Sequence, residues 1–319
     1  MDWTDRHDRF FLRLITRHTR LYTEMVTADA IRFGDRARLL DFDAAEHPLA
    51  LQLGGSDPTT LAEAAQIGED WGYDEINLNV GCPSDRVRSG AFGACLMREP
   101  DLVAACMAAM RKAVKIPVTV KCRIGVDDQD PETALPQLVS SCRDAGVEVF
   151  IIHARKAWLE GLSPKENREI PPLDYPLVYR LKQRFPDLRI IINGGIETLD
   201  QTQTHLKKVD GVMVGRAAYK TPYFLADIDR LIFGAGEAPL SRDEIVERLI
   251  PYAEKLVAQN TPLHALTRHL MGLYQGYPGG RLWRRYLSEN AVGANVPATV
   301  LQGALDVVQA QRERAALAS

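Results

Sequence analysis

Seven short apolar runs, most of them followed by a helical stretch, constrain this chain more than any other feature. Tyr22–Thr27, Pro48–Leu53, Asp74–Val80, Pro117–Cys122, Val147–His153, Leu188–Asn193 and Val209–Val214 read as strands, being short, rich in β-branched residues and bounded by turn signals. Helices are predicted between them at Ala28–Phe33, from Ser56 or Asp57 to Trp71, and at Pro100–Val114, Pro131–Ala145, Pro176–Phe185 and Leu199–Leu206. Ser56 or Asp57 is placed to cap its helix, with Pro58 in the first turn. Such alternation predicts a parallel sheet covered by helices. Asp5–Arg17 reads as an amphipathic helix with Phe10, Leu14 and Ile15 on its apolar side, and only Met1–Thr4 precede it. A strand should come before that helix. The expectation is a TIM (β/α)8 barrel lacking its first strand in this chain, with its chemistry on the loops that follow the strands.

After about Ser241 no strand signal remains. Asp243–Ala258, Leu263–Tyr274, Leu282–Asn290 and Ala298–Arg314 read as helices, broken apart by Pro262, Pro278-Gly279-Gly280 and Pro297. The predicted division is a barrel domain over 1–240 and a small all-α domain over 241–319. No acidic residue occurs between Leu256 and Ser288. Arg268, Arg281, Arg284 and Arg285 fall in that run, interleaved with Tyr274, Tyr277, Trp283 and Tyr286. A solvated basic helix face is the ordinary account of such a run. Its aromatics and its lack of acids favour RNA.

The chain's 319 residues suffice for two domains, and 46% hydrophobic with 25% charged residues is the balance of a globular protein. No apolar run reaches the length of a membrane span, and the charged, aromatic start is not a signal peptide. Five cysteines without C-x-x-C spacing argue for reduced thiols and a cytoplasmic protein, not for a disulfide framework or a zinc site. A formal net charge of −3 means that only a local basic surface would serve a nucleic acid.

The strand ends collect polar groups: Gln52, Asn79, Cys82, Lys121, His153, Asn193-Gly194-Gly195 and Gly215-Arg216. Asp74–Val80 runs into Gly81-Cys82-Pro83, which cannot continue a strand, so a cysteine is presented on a rigid turn. Asn77 and Asn79 leave that strand on one face. A buried thiol in a tight turn is the ordinary alternative. The segments INGGI and VMVGRAA end the last two strands, where barrels bind phosphate through backbone N–H groups; simple turn glycines are the alternative. Lys121 would put an ammonium at a buried strand end, which is costly without an anion. A salt bridge would meet that need, but no acid lies on the neighbouring strand ends. A reduced flavin is another such anion, with Gln52 and His153 hydrogen-bonding its ring. A satisfied core histidine is the alternative for His153.

The segments GCPSDRV, FGACLM, VKCRIG, HARKAWLEGLSPKENR and INGGI resemble the tRNA-dihydrouridine synthases, most of all the A subfamily, over essentially the whole chain. The resemblance implies an FMN-binding TIM barrel with a helical C-terminal domain. It implies NADPH-driven reduction of the C5–C6 double bond of D-loop uridines 20 and 20a in tRNA. Carried over by motif, hydride passes from NADPH to flavin N5 and on to uracil C6, while Cys82 protonates C5 as general acid. Gln52, Lys121, His153, Asn193, Gly194, Gly195, Gly215 and Arg216 would bind FMN. Met1 would add to them as the remnant of the family's Ala-Pro-Met-Met-Asp segment. Asn79 would hold the target base, helped by Arg123. Lys165 and Arg168 on the barrel loop, with Arg281 and Arg284, match the tRNA-contact motifs. The base must be turned out of the folded RNA to be reached. No metal and no obligate protein partner is implied.

Two other functions compete. A flavin barrel reducing a free pyrimidine, in the manner of dihydroorotate dehydrogenases, has no use for Arg281, Arg284 or the helical domain. A non-catalytic RNA-binding protein has no use for Cys82, Lys121 and His153 together.

Overall fold

The computed structural model describes residues 3–84, 90–293 and 295–317. The predicted strands form at β1 (Leu21–Thr27), β2 (Leu49–Gly54), β3 (Glu75–Val80), β4 (Val118–Arg123), β5 (Val149–His153), β6 (Arg189–Asn193) and β7 (Gly211–Met213). They pair in chain order, β1 to β7, all parallel. Parallel neighbours in sequence order with helical crossovers are the topology of a TIM-type barrel. The residues described before β1 hold the helix Arg6–Ile15 and no strand.

The pleat sorts each strand into two faces. Leu49, Leu51, Leu53, Ile76, Leu78, Val120, Phe150, Ile152, Ile190 and Ile192 are buried on the helix-covered side. A Cβ added to Gly68 of the helix Pro58–Trp71 would meet Leu51 and Ile76 at 2.7 and 2.8 Å, so that helix lies directly on β2 and β3. The other face carries Glu75, Asn77 and Thr119, which are 3%, 0% and 1% exposed. An open sheet with helices on one side would leave those polar groups wet. Their burial shows that the sheet curls around them.

Helix starts repeat one device. Asp57, Asp130 and Asp174 accept hydrogen bonds from backbone N–H groups of the first turn, each with a proline at the first or second helical position. Thr198 with Gln201, and Ser241 with Glu244, form capping boxes.

The chain separates into two compact units. One comprises residues 20–42 and 47–215. The other comprises the described residues of 2–19, 43–46 and 216–319. In the second unit, Phe11, Leu12 and Ile15 are the most buried apolar residues of the helix Arg6–Ile15. Phe10 stacks on Tyr252 with centroids 3.9 Å apart, and Arg9 Nε donates to the buried Glu46 carboxylate at 2.6 Å. Arg242–Ala258, Gly280–Asn290 and Thr299–Leu317 are the longest helices of that unit. The continuous helix predicted over Leu263–Tyr274 is instead a short helix, His264–Thr267, and a 3-10 turn, Leu270–Gly272. A Cβ at Gly272 would collide with the Lys220 carbonyl, so close backbone packing sets the path there.

Gly280 opens its helix close to the Tyr274 carbonyl, and a Cβ there would clash with that oxygen. Gly280→Ala is therefore expected to destabilise the helical unit by about 1–3 kcal/mol. Urea unfolding of the variant should show a lower midpoint, and an unchanged midpoint would contradict this packing.

Candidate active site

β3 runs into the turn that carries Cys82. Asn79 Oδ1 accepts from the backbone N–H groups of Gly81 at 3.0 Å and Cys82 at 2.9 Å. This side-chain turn ends the strand and leaves Cys82 half-buried, its Sγ 3.5 Å from Ser84 Oγ. Asp85 to Ser89 of the same motif lie outside the described residues. Cys106 and Cys122, by contrast, are fully buried, and burial pushes their thiols up to about 11 and 12.

Lys121 stands beside Asn79 in register, on the polar face with Thr119. Burial, and then the charge of Arg123 two residues on, pull its ammonium from about 10.5 down to about 8. No carboxylate acts on it among the described residues. Cys82 lies within electrostatic reach of both Lys121 and Arg123. Arg123 is itself buried, which lowers it to about 10. Its Nε donates to the Gly81 carbonyl at 3.2 Å, and its Nη1 to the carbonyls of Asn167 at 2.9 Å and Lys156 at 3.3 Å. One guanidinium thus ties the cysteine turn to the loop after β5.

Further round the rim, His153 pairs in register with Arg123 on one side and Asn193 on the other. Asn193 Nδ2 donates to the Met213 carbonyl at 2.7 Å, joining β6 to β7. Gly194 and Gly195 follow with φ of 111° and 68°, angles that favour glycine. A Cβ on Gly194 would sit 3.2 Å from His153 Nε2 and 3.1 Å from Leu173, and one on Gly195 2.7 Å from Leu173. The space around Gly215 is open. Arg216 opens the short helix Arg216–Lys220, which belongs to the helical unit. Met1 lies outside the described residues.

The loop after β5 is built on Asn167, which accepts from Trp158 N–H at 2.7 Å and donates to the carbonyls of Trp158 and Leu162 at 2.9 and 3.1 Å. Lys165 and Arg168, on either side of it, are exposed.

In the helical unit, the aromatics of the acid-free run divide. Tyr274 and Trp283 are both 0% exposed, with their polar atoms bonded to Asp243 and to the Leu270 carbonyl. They are core residues and offer no stacking surface. Arg268 is held by Asp5 at 2.6 Å and Arg285 by Glu289 at 2.8 Å. Arg284 donates to the neutral Gln275 at 2.6 Å, and Arg281 is exposed. These two keep an uncompensated charge among the described residues.

The sequence did not single out Glu75, Thr119 and Tyr175. Tyr175 donates to the Gly194 carbonyl at 2.7 Å and steadies that turn. Glu75 and Thr119 share the polar face with Asn77, and the alternation of β3 and β4 was the signal for them. Among the described residues no cluster of His, Cys, Asp and Glu is fit to hold a metal ion, and no helix is long and apolar enough to cross a membrane.

A parallel curled sheet with a cysteine turn, a lysine and a glycine-lined rim on one edge defines a TIM-barrel-type fold. The chain belongs to the dihydrouridine synthase family, whose profile, described as Dihydrouridine synthase (Dus), matches residues 1–309. It is 58% identical over 312 residues to the tRNA-dihydrouridine(20/20a) synthase of Synechocystis sp., covering 98% of this chain and 92% of that one. The enzyme of the same name from Escherichia coli K12 is 57% identical over 313 residues, covering 98% and 90%. That of Shewanella oneidensis is 57% identical over 291 residues, covering 91% and 87%. Among solved structures, morphinone reductase shares the fold with a TM-score of 0.51 at 13% identity, over 75% of this chain and 83% of that one.

The lowered Lys121 gives a pH signature. Below about 8 both folded and unfolded chains hold this proton, and folding bears the cost of a partly desolvated ammonium. Between about 8 and 10.5 the unfolded chain binds the extra proton, so stability rises with pH through that window relative to a chain lacking the group. In protein without added ligand, the unfolding free energy of wild type minus that of Lys121→Met should rise between pH 7.5 and 9.5. A pH-independent difference would refute the desolvation of this charge.

Proposed function

We propose that this protein is a flavin-dependent tRNA-dihydrouridine synthase that reduces the C5–C6 double bond of uridines 20 and 20a in the tRNA D-loop, with FMN bound and NADPH as reductant. The observation that carries this is one edge of one sheet: a half-buried thiol on an Asn79-held turn, an ammonium on which no carboxylate acts among the described residues, and a histidine beside two positive-φ glycines.

These residues fit a flavin mononucleotide. The Gly194–Gly195 turn is a cradle that any Cβ would narrow, and Gly215 adds open backbone. Asn193, Gly194, Gly195 and Gly215 would receive the phosphate end, with Arg216, next in the chain, adding charge. Gln52, His153 and Lys121 would hold the ring, Lys121 supplying the positive charge that a reduced flavin needs. Bound FMN supplies the hydride for uracil C6. Cys82 holds the proton on Sγ and delivers it to C5. Asn79 fixes the backbone of Cys82 and has a second amide hydrogen to offer the base, and Arg123 Nη2 is the edge not used by loop carbonyls among the described residues.

Lys165 and Arg168 on one unit, and Arg281 and Arg284 on the other, are assigned to phosphates of the RNA. The sheet unit carries the chemistry and the helical unit grips tRNA. A tRNA substrate and five free cysteines support a cytoplasmic location.

Cys82→Ala should retain FMN, seen as flavin absorbance, and bind tRNA with wild-type affinity, while turnover falls by about 100-fold or more. Full dihydrouridine formation by that variant would remove Cys82 from the acid role. Arg281→Ala with Arg284→Ala should raise the apparent KM for tRNA about tenfold and flatten the salt dependence of binding by roughly one to two in log–log slope. NADPH oxidation without tRNA should not change. Its collapse would mean that these arginines serve something other than RNA.

A further inference from the structure

An unbroken series of hydrogen bonds crosses the polar face of β1 to β4, and its two ends differ in kind. At one end the backbone N–H groups of Gly81 and Cys82, which only donate, meet Asn79 Oδ1. At the other end stands Glu75, ion-paired to Arg20 through Oε2 and accepting on Oε1 from Tyr22 at 2.9 Å and Thr119 at 2.7 Å. With a guanidinium on one oxygen and two hydroxyls on the other, this carboxylate only accepts.

Everything between is then determined. Thr119 gives its proton to Glu75, so its oxygen accepts from Asn77 Nδ2 at 2.8 Å. Asn77 Oδ1 accepts from Gln52 Nε2 at 2.9 Å, and Gln52 Oε1 accepts from Asn79 Nδ2 at 2.8 Å. Flipping any one amide would set two donors or two acceptors against each other in a buried place. Both ends forbid it.

We propose that Glu75, Thr119 and Asn77 are positioning residues. From beneath the rim they set which way the amides of Gln52 and Asn79 point, and through Asn79 they hold the turn that carries Cys82. Only its consequence for turnover rests on the function proposed above.

The test compares full-length Thr119→Val, which cannot pass the series on, with Thr119→Ser, which can. In flavin-free protein, Thr119→Val is expected to speed amide hydrogen exchange at Gly81 and Cys82 about tenfold, the order set by one or two lost hydrogen bonds. Exchange in β5 and β6 should stay at wild-type rates, and Thr119→Ser should match wild type throughout. With FMN, NADPH and tRNA, Thr119→Val should lose about tenfold in kcat with KM for tRNA held within about twofold, and Thr119→Ser should recover it. If Thr119→Val does not fold, Glu75→Gln carries the same test, because an amide can donate as well as accept and no longer fixes the direction of the series from its end. Unchanged exchange at Gly81 and Cys82 overturns the proposal, as does equal acceleration in β5 and β6, or a Thr119→Ser variant as impaired as Thr119→Val. If exchange responds as expected while wild type forms no dihydrouridine, the positioning role stands and the proposed activity falls.

Discussion

Parallel strand register is what the site depends on. Asn77 stands beside Gln52 and Thr119, Asn79 beside Lys121, and His153 between Arg123 and Asn193. These residues are far apart in the chain. A slip of one residue in any pairing would turn the corresponding side chain into the helix layer. The apolar half of each strand prevents that slip, because Leu51, Ile76, Val120, Phe150 and Ile190 would have to leave the core. Hydrophobic burial on one face thus holds polar chemistry in place on the other.

The polar face answers a different demand. Buried amides and hydroxyls are costly unless satisfied, and here they satisfy one another from Glu75 to the Cys82 backbone. Lys121 is the exception, a half-buried cation on which no carboxylate acts among the described residues. Groups left in that condition cluster at functional sites. The contrast with the satisfied amides around it is what supports the anion-holding role proposed for Lys121.

Much of this was legible from residue order. Strand and helix positions followed from apolar runs and from Asp-Pro helix starts. The most visible miss was Leu263–Tyr274, where apolar spacing suggested one helix and close packing at Gly272 breaks it. The basic run was legible as a run, but not which of its members face solvent: Tyr274 and Trp283 are core. Arg268 and Arg285 are matched by acids that lie outside the run. One-dimensional charge runs do not show partners that arrive from elsewhere in the chain.

Residue order alone determined the alternation of strand and helix, the arrest of β3 at Gly81-Cys82-Pro83, and the glycine pair after β6. Each depends on local backbone preference and pleat period, which a few adjacent residues suffice to specify. Only the tertiary structure decided that Asn79 gives an amide hydrogen to Gln52 on the next strand, that Arg123 ties two loops, and that Glu75 and Thr119 bond into the amides of other strands. Hydrogen-bond partners across a sheet are chosen by register and burial, and neither is a property of any one segment.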